Sequence, residues 1–357
     1  MRYRTATIQA LKSLGTSGTT LFDIDITDPI SALFLYCELT LSTGARLAPN
    51  PEAFTKIELI DGSDVLLNLS GTEMDALHFF ERSKVCMDYC DNRISTTAFP
   101  NLMLLFGRKL WDTELAFVPT KFRNPQLRIT HDCAKVQANA TPLKVEILAE
   151  CFDERAVSPS GFLMNREFKS FTPVTGTYEY TDLDTDKIIR KLIVQVKKPG
   201  SGIGLSLAEL RLSEDNDKKI PFDILMDDLV TLNAFQFGEV SQYVGGYSDV
   251  DLPYWGAPGY SGRAAIVLQN TAEVFVVNPY DCGKLGVSSS TTTNITEGIW
   301  KGLAPYQCLV YPFGEQMDMA DWYDASRLGN LKLRLKGGSA VPSGALTNII
   351  LQQLRKY

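Results

Sequence analysis

One arrangement of residues occurs twice in this chain, and any fold has to accommodate both copies. Residues 55–69 read TKIELI-DGSD-VLLNL, two apolar-alternating segments around Asp61-Gly62, whose glycine supplies the positive φ of a tight hairpin. A helix is expected directly afterwards. Ser70 and Glu73 form a capping box, and Met74, Leu77 and Phe80 recur on one face. The second half repeats this order. AELRL-SEDNDKK-IPFDIL is again a hairpin with a polar turn, and 224–237 carries Leu225, Leu229, Leu232 and Gln236 at helical spacing before Gly238, a fitting C′ glycine. Phe106-Gly107 then corresponds to Phe313-Gly314, and Asn124-Pro125-Gln126-Leu127-Arg128-Ile129 to Asn330-Leu331-Lys332-Leu333-Arg334-Leu335. The closing strands pair likewise, LKVEILAE (143–150) with LTNIILQQ (346–353).

Equivalent positions lie about 151 residues apart before the helices and about 206 apart after them. One half is therefore a duplicate of the other, with roughly 55 extra residues between 238 and 312. Segments 19–26, 32–41, 126–130, 143–149 and 187–196 mix β-branched or aromatic residues with period-2 alternation and read as short strands. The expectation is an all-β, mainly antiparallel protein of two tandem jelly rolls, each with one short helix between strands. Their expected extents are 1–158 and 159–357, the second carrying the long loop insertion around 238–312; the charged, Ser- and Pro-rich stretch 153–166 is the linker.

The length of 357 residues agrees with two domains, and 45% hydrophobic with 22% charged residues describes a packed globular chain rather than a disordered one. With 35 basic against 42 acidic residues, the net charge of −7 lacks the footprint of a dedicated nucleic-acid binder. Only 2 histidines are present, His78 and His131, and both read as structural residues. A double cupin would need several imidazole ligands in each active barrel. The 7 cysteines are odd in number and sit mostly in apolar runs, as buried thiols of a reducing compartment do; Cys86-x3-Cys90 lacks a second ligand pair. Residues 1–22 carry no signal-peptide apolar core, and the uncharged run Gly337–Leu354 is broken by Gly, Ser, Pro, Asn and Gln. Synthesis and assembly in a cytoplasm are expected.

Several local patterns imitate functional motifs. Asp182, Asp184 and Asp186 open like an EF-hand loop, but Lys187 stands where Gly is needed and Ile193 where Glu is needed. A looser calcium site on these three is the remaining metal candidate, against a solvated turn. Gly200-Ser201-Gly202-Ile203-Gly204 lacks the Walker lysine, and the following LSLAELRL reads as strand. Gly259-Tyr260-Ser261-Gly262 misses the nucleophile-elbow spacing. Asp227-Asp228 and Glu214-Asp215 are sequence neighbours that do not face each other. No cofactor and no catalytic set is expected. The insertion concentrates Gly, Tyr, Trp and Pro, a composition suited to contact surfaces; Tyr254, Trp255, Tyr260, Trp300 and Tyr306 are the interface candidates. Arg2, Arg4 and Lys12 precede the first acid, Asp23, and form a candidate basic arm toward a membrane or genome.

The hairpin-helix block KIELIDGSDVLLNLSGTEMDALHFF and the terminal block DWYDASRLGNLKLRLKGG…LTNIILQQL together resemble the double jelly-roll major capsid proteins of tailless icosahedral viruses, the lineage of tectiviruses and adenoviruses. The resemblance covers nearly the whole chain and rests on arrangement and strand grammar. It implies two eight-stranded jelly rolls standing side by side, three chains forming a pseudo-hexagonal homotrimer, and trimers tiling an icosahedral virion shell. It further implies a structural protein rather than an enzyme, the 238–312 insertion as an outward tower, and an inward N-terminal arm. The implied partners are itself, penton and minor capsid proteins, and an internal membrane or the genome. A second reading is a carbohydrate- or receptor-binding β-sandwich that stacks sugars on the aromatic loop 241–262, and a third a two-barrel glycoside hydrolase.

Overall fold

The computed structural model describes residues 2–42, 46–86, 89–91, 97–139, 141–154, 156–248, 253–268, 275–278, 282–289 and 294–357. Alternation of apolar and polar residues becomes strand after strand. In the N-terminal half β1 (Tyr3–Gly15), β2 (Ser17–Asp23), β3 (Ile30–Thr40), β4 (Phe54–Asp61) and β5 (Asp64–Leu69) precede α1 (Gly71–Arg82). After it come β6 (Tyr89–Asp91), β7 (Thr97–Ala98), β8 (Leu102–Leu105), β9 (Pro125–Asp132) and β10 (Leu143–Phe152). One sheet runs β1-β10-β3 with β7 and β8 both on β3, and the other runs β2-β9-β4-β5. Leu143, Val145, Ile147, Ala149 and Cys151 of β10 all point into the space between the sheets, the period-2 face that burial demands.

The C-terminal half has β11 (Gly161–Phe171), β12 (Tyr178–Asp182), β13 (Ile188–Lys197), a single helical turn α2 (Ile203–Ser206), β14 (Leu207–Glu214), β15 (Lys219–Leu225) and α3 (Met226–Phe237). The insertion follows as β16 (Val240–Ser248), β17 (Pro253–Trp255), β18 (Tyr260–Leu268), β19 (Phe275–Asn278), β20 (Lys284–Ser289) and β21 (Asn294–Leu303). The barrel then resumes with β22 (Cys308–Pro312), β23 (Tyr323–Asp324), β24 (Leu331–Gly337) and β25 (Leu346–Lys356). Its sheets run β11-β25-β13-β22, with β23 also on β13, and β12-β24-β14-β15. That is the strand order of the N-terminal half, except that the short strands β7 and β23 sit at opposite ends of β3 and β13. Each half is a jelly roll around its own core, mostly antiparallel, with one 12-residue helix after the hairpin.

The duplication reaches individual hydrogen bonds. In each hairpin one aspartate caps the chain entering a later strand: Asp61 accepts the N–H groups of Arg123 and Asn124, and Asp215 those of Gly329 and Asn330. The Phe of each Phe-Gly pair donates its N–H to the third strand of its barrel, Phe106 to the Ser31 carbonyl and Phe313 to the Arg190 carbonyl. The next residue is held by a loop aspartate in both cases, Arg108 N–H by Asp112 and Glu315 N–H by Asp321. A side chain at Gly107 would stand 2.6 Å from the Asp112 Cβ, which is why the pair needs its glycine.

Four expectations change. The final-strand pairing by eight letters is off by one. Ile147 and Ile349 both face their own cores, so the offset is even there, and the literal match would turn every side chain to the wrong face. Residues 203–206 are a helical turn and not the start of a strand. The 238–312 insertion is no loop but six strands in two small antiparallel sheets, β18-β21-β16 and β17-β20-β19, with β6 from the other half adding to β16 in parallel. Lastly, the N-terminal residues 3–15 form an edge strand on β10 rather than a free arm.

Candidate functional site

The surface with most built into it is the seam between the barrels, and α1 makes it. Ser70 accepts from the Glu73 N–H while the Glu73 carboxylate takes the Ser70 N–H, so the expected capping box starts the helix. Ser83, with φ 55°, ends it. One side of α1 packs on its own barrel through Met74, Leu77 and Phe79. The other side meets the outer face of β13 and β25. There the alternation of KIIRKLIVQV and LTNIILQQL turns Lys191, Ile193, Gln195, Asn348, Ile350 and Gln352 away from the C-terminal core, and Ile193 and Ile350 join the N-terminal cluster instead.

This seam is polar and almost fully buried. Glu81 lies 2.6 Å from Arg190 and 2.7 Å from Lys191, and all three side chains are at most 5% exposed. Gln352 donates to Glu81 and to Asn165, and Asn348 donates to Glu73 at 2.6 Å. Burial alone would raise Glu81, but Lys191 and Arg190 hold its carboxyl below the usual range. Burial drives Lys191 down to about 8 although Glu81 opposes it, and the positive charge of Arg190 beside it adds to the lowering. A single-pair ladder completes the join. β5 and β11 meet in parallel at Asn68 and Arg166, so one sheet runs unbroken from barrel to barrel. At the chain's end the Tyr357 hydroxyl donates to Ala116 and accepts from Val118 N–H, tying the C-terminus back to the first barrel.

The sequence candidates fare unevenly. Tyr254 and Trp300 are wholly buried in the small core of the inserted sheets, and Tyr306 is buried against α1. They are packing residues in the single chain, because strands β17 and β21 bury their ring-bearing faces. Trp255 is half-buried with its indole N–H on the Arg46 carbonyl and Lys284 over its ring; Tyr260 is half-buried with its hydroxyl 3.3 Å from Asp227. The sugar-stacking reading loses Tyr254 on this ground; residues 249–252 of its loop lie outside the described residues. Arg4 is ion-paired to Asp28 and Lys12 sits over the Phe22 ring, so of the proposed arm only the exposed Arg2 precedes the strand. Asp182, Asp184 and Asp186 each face a different cation, Lys332, Arg166 and Lys187, so the geometry gathers no calcium cage from them.

Among the described residues one group of metal-ligand type converges. Asp75, His78 and Cys86 bring three ligand atoms within 4.8 Å of one another. Each is already engaged. Asp75 accepts the Tyr306 hydroxyl at 2.6 Å and the Cys86 N–H at 2.5 Å, and the His78 Nδ1 is 2.8 Å from the Lys84 carbonyl. Burial lifts the Asp75 carboxyl to about 6 against those hydrogen bonds and pushes the Cys86 thiol far up. The cluster is a tie between helix, loop and second barrel. Cys90, the other half of the expected pair, has its side chain outside the described residues. Cys37, Cys133, Cys151 and Cys308 are buried, with their thiols raised by that burial. His131 is buried in the first barrel beside the Gly15 carbonyl.

The seam residues Glu81, Arg190, Lys191, Asn348 and Gln352 carry no motif. For Lys191, Asn348 and Gln352 the signal is a polar period-2 face in strands that otherwise read as core, which looks in sequence like an ordinary solvent face; Glu81 reads as a polar helix position.

No protein-family model matches the chain, and no curated protein matches it. Solved structures do. The chain is similar to the STIV MCP, with a TM-score of 0.62 at 12% identity over 99% of this chain and 96% of that one. It is similar to PBCV-1 VP54, as fitted into a reconstruction of the virophage Sputnik, at 0.60 and 11% over 99% and 93%. The major capsid protein P2 of bacteriophage PM2 gives 0.56 and 8% over 99% and 98%. Across nearly its whole length the chain has the double jelly-roll fold of these capsid proteins.

Proposed function

We propose that this chain is a major capsid protein that self-assembles into pseudo-hexagonal homotrimers tiling an icosahedral virion shell. The observation that carries this reading is the end-to-end double jelly roll shared with capsid proteins at near-complete coverage of both chains. Physics agrees with the job. Closed double sheets hide most strand edges and offer stiff flat sides, which suits lateral packing and needs no chemistry. In this reading residues 1–158 and 159–357 are the two barrel units, and the inserted sheets form the tower. The protein is made in a host cytoplasm and works in the virion, alongside penton and minor capsid proteins. Any contact with an internal membrane or the genome falls to Arg2 and the ends of the barrels.

Native mass spectrometry tests the reading. A species three times the 39.6 kDa chain mass is expected. An obligate contact of this kind buries on the order of 2,000–5,000 Å² per interface, so the trimer should survive micromolar dilution. A monomer at all salt concentrations would contradict it.

A further inference from the structure

Resting on that reading, we propose that α3 and the β15 edge of one chain dock on the outer face of β3 and β10 and the β1 edge of a second copy, so that the contact between chains repeats the seam inside the chain.

The two helices align by their cap positions and length. Ser70 and Leu225 are the N-caps, Ser83 and Gly238 the positive-φ C-caps, and both helices run 12 residues. On that register the α1 residues that touch the second barrel, Thr72, Glu73, Phe80 and Glu81, fall on Asp227, Asp228, Phe235 and Gln236 of α3. All four of these are exposed. Phe80 is 3% exposed and Phe235, at the same position, 85%. Leu225 and Leu232 flank it at 52% and 44%. Leucine is among the poorest N-cap residues, and a half-exposed one there has no use to the isolated helix. An apolar patch left bare on an element whose duplicate is covered marks an interface.

The receiving face is identified the same way. Phe106 and Phe313 bond to Ser31 and Arg190, which fixes β3 against β13. Ile193 and Ile350, a cross-strand pair 2% exposed beneath α1, then correspond to the pair Phe34 and Leu148, which nothing in the chain fully covers. The buried ions disappear from both sides together. Glu81 becomes Gln236, Lys191 becomes Ala32 and Arg190 becomes Ser31, so the docking buries no unpaired charge from that triad. Asp228 opposite Glu146 is the position that costs Coulomb energy, which ordinary salt screens. The sheet edges agree. β5 and β11 meet inside the chain, and their counterparts β15 and β1 both end their sheets. A head-to-tail contact of this type closes into a ring when its rotation permits.

Two variants and a mixture test it by native mass spectrometry, with far-UV circular dichroism as the folding control. Phe235→Asp disables only the helix side and Leu148→Asp only the receiving side. Each is expected to be a folded monomer, and an equimolar mixture to regain a two-chain species through its one intact contact. Phe235→Ser serves if the aspartate variant misfolds. A wild-type trimer that persists in Phe235→Asp or Phe235→Ser overturns the docking while leaving the capsid reading intact; a monomeric wild type overturns that reading itself. Folded monomers whose mixture stays monomeric also overturn the docking.

Discussion

Glu81 is the residue on which the seam's charge balance turns. It neutralises Arg190 and Lys191 at once, so Glu81→Gln leaves two buried cations with hydrogen-bond acceptors but no anion. A loss of about 3–5 kcal/mol is expected in urea unfolding, the scale for removing one partner of a buried ion pair. Lys191→Met is expected to behave differently, since Glu81 keeps Arg190. Its readout is pH. Burial lowers Lys191 from 10.5 to about 8 in the folded chain, so between those values the unfolded chain binds more protons and stability rises with pH. The cost of holding the cation is fully present below pH 8. In Lys191→Met that rise should vanish from unfolding curves taken between pH 8 and 10.5; an unchanged rise would refute the assignment.

At the level of elements, hairpins and helices were legible because their signals are local. Asp61-Gly62, the Ser70–Glu73 box and Gly238 each sit within a few residues of the feature they specify, and each stands where expected. Pairings that depend on distant residues were not legible. The face of the last strand, the parallel addition of β6 to β16 and the folding of the insertion into sheets are all set by tertiary neighbours. The aromatic residues of the insertion looked like surface because their composition matches contact loops, yet strands bury alternate side chains and Tyr254 and Trp300 lie on the buried side. The unequal caps of the two helices give a direct check. Ser70→Ala should cost about 1 kcal/mol in denaturant unfolding, since it removes the side-chain acceptor of the Glu73 N–H. Leu225→Ala removes no cap and should shift the same curve far less.

For the molecule as a whole, one barrel plan is used twice but finished differently. The first helix is sealed against its neighbour by ions and amides, while the second keeps Phe235 in solvent beside the exposed Leu225 and Leu232. In the proposed assembly such a chain is half of a repeating contact, with a male side at α3 and a female side at β3 and β10. On the proposed docking, duplication alone would give a closed pair, and the bare second seam would let copies add. The measurement that bears most directly on this is a single-particle electron-microscopy reconstruction of the purified oligomer at a resolution that shows helices. Three chains should appear as a ring of six barrels, with each α3 seated on the next chain's β3 and β10 as α1 sits on β13 and β25. A ring joined through other faces, or separate two-lobed particles with α3 in solvent, would contradict it.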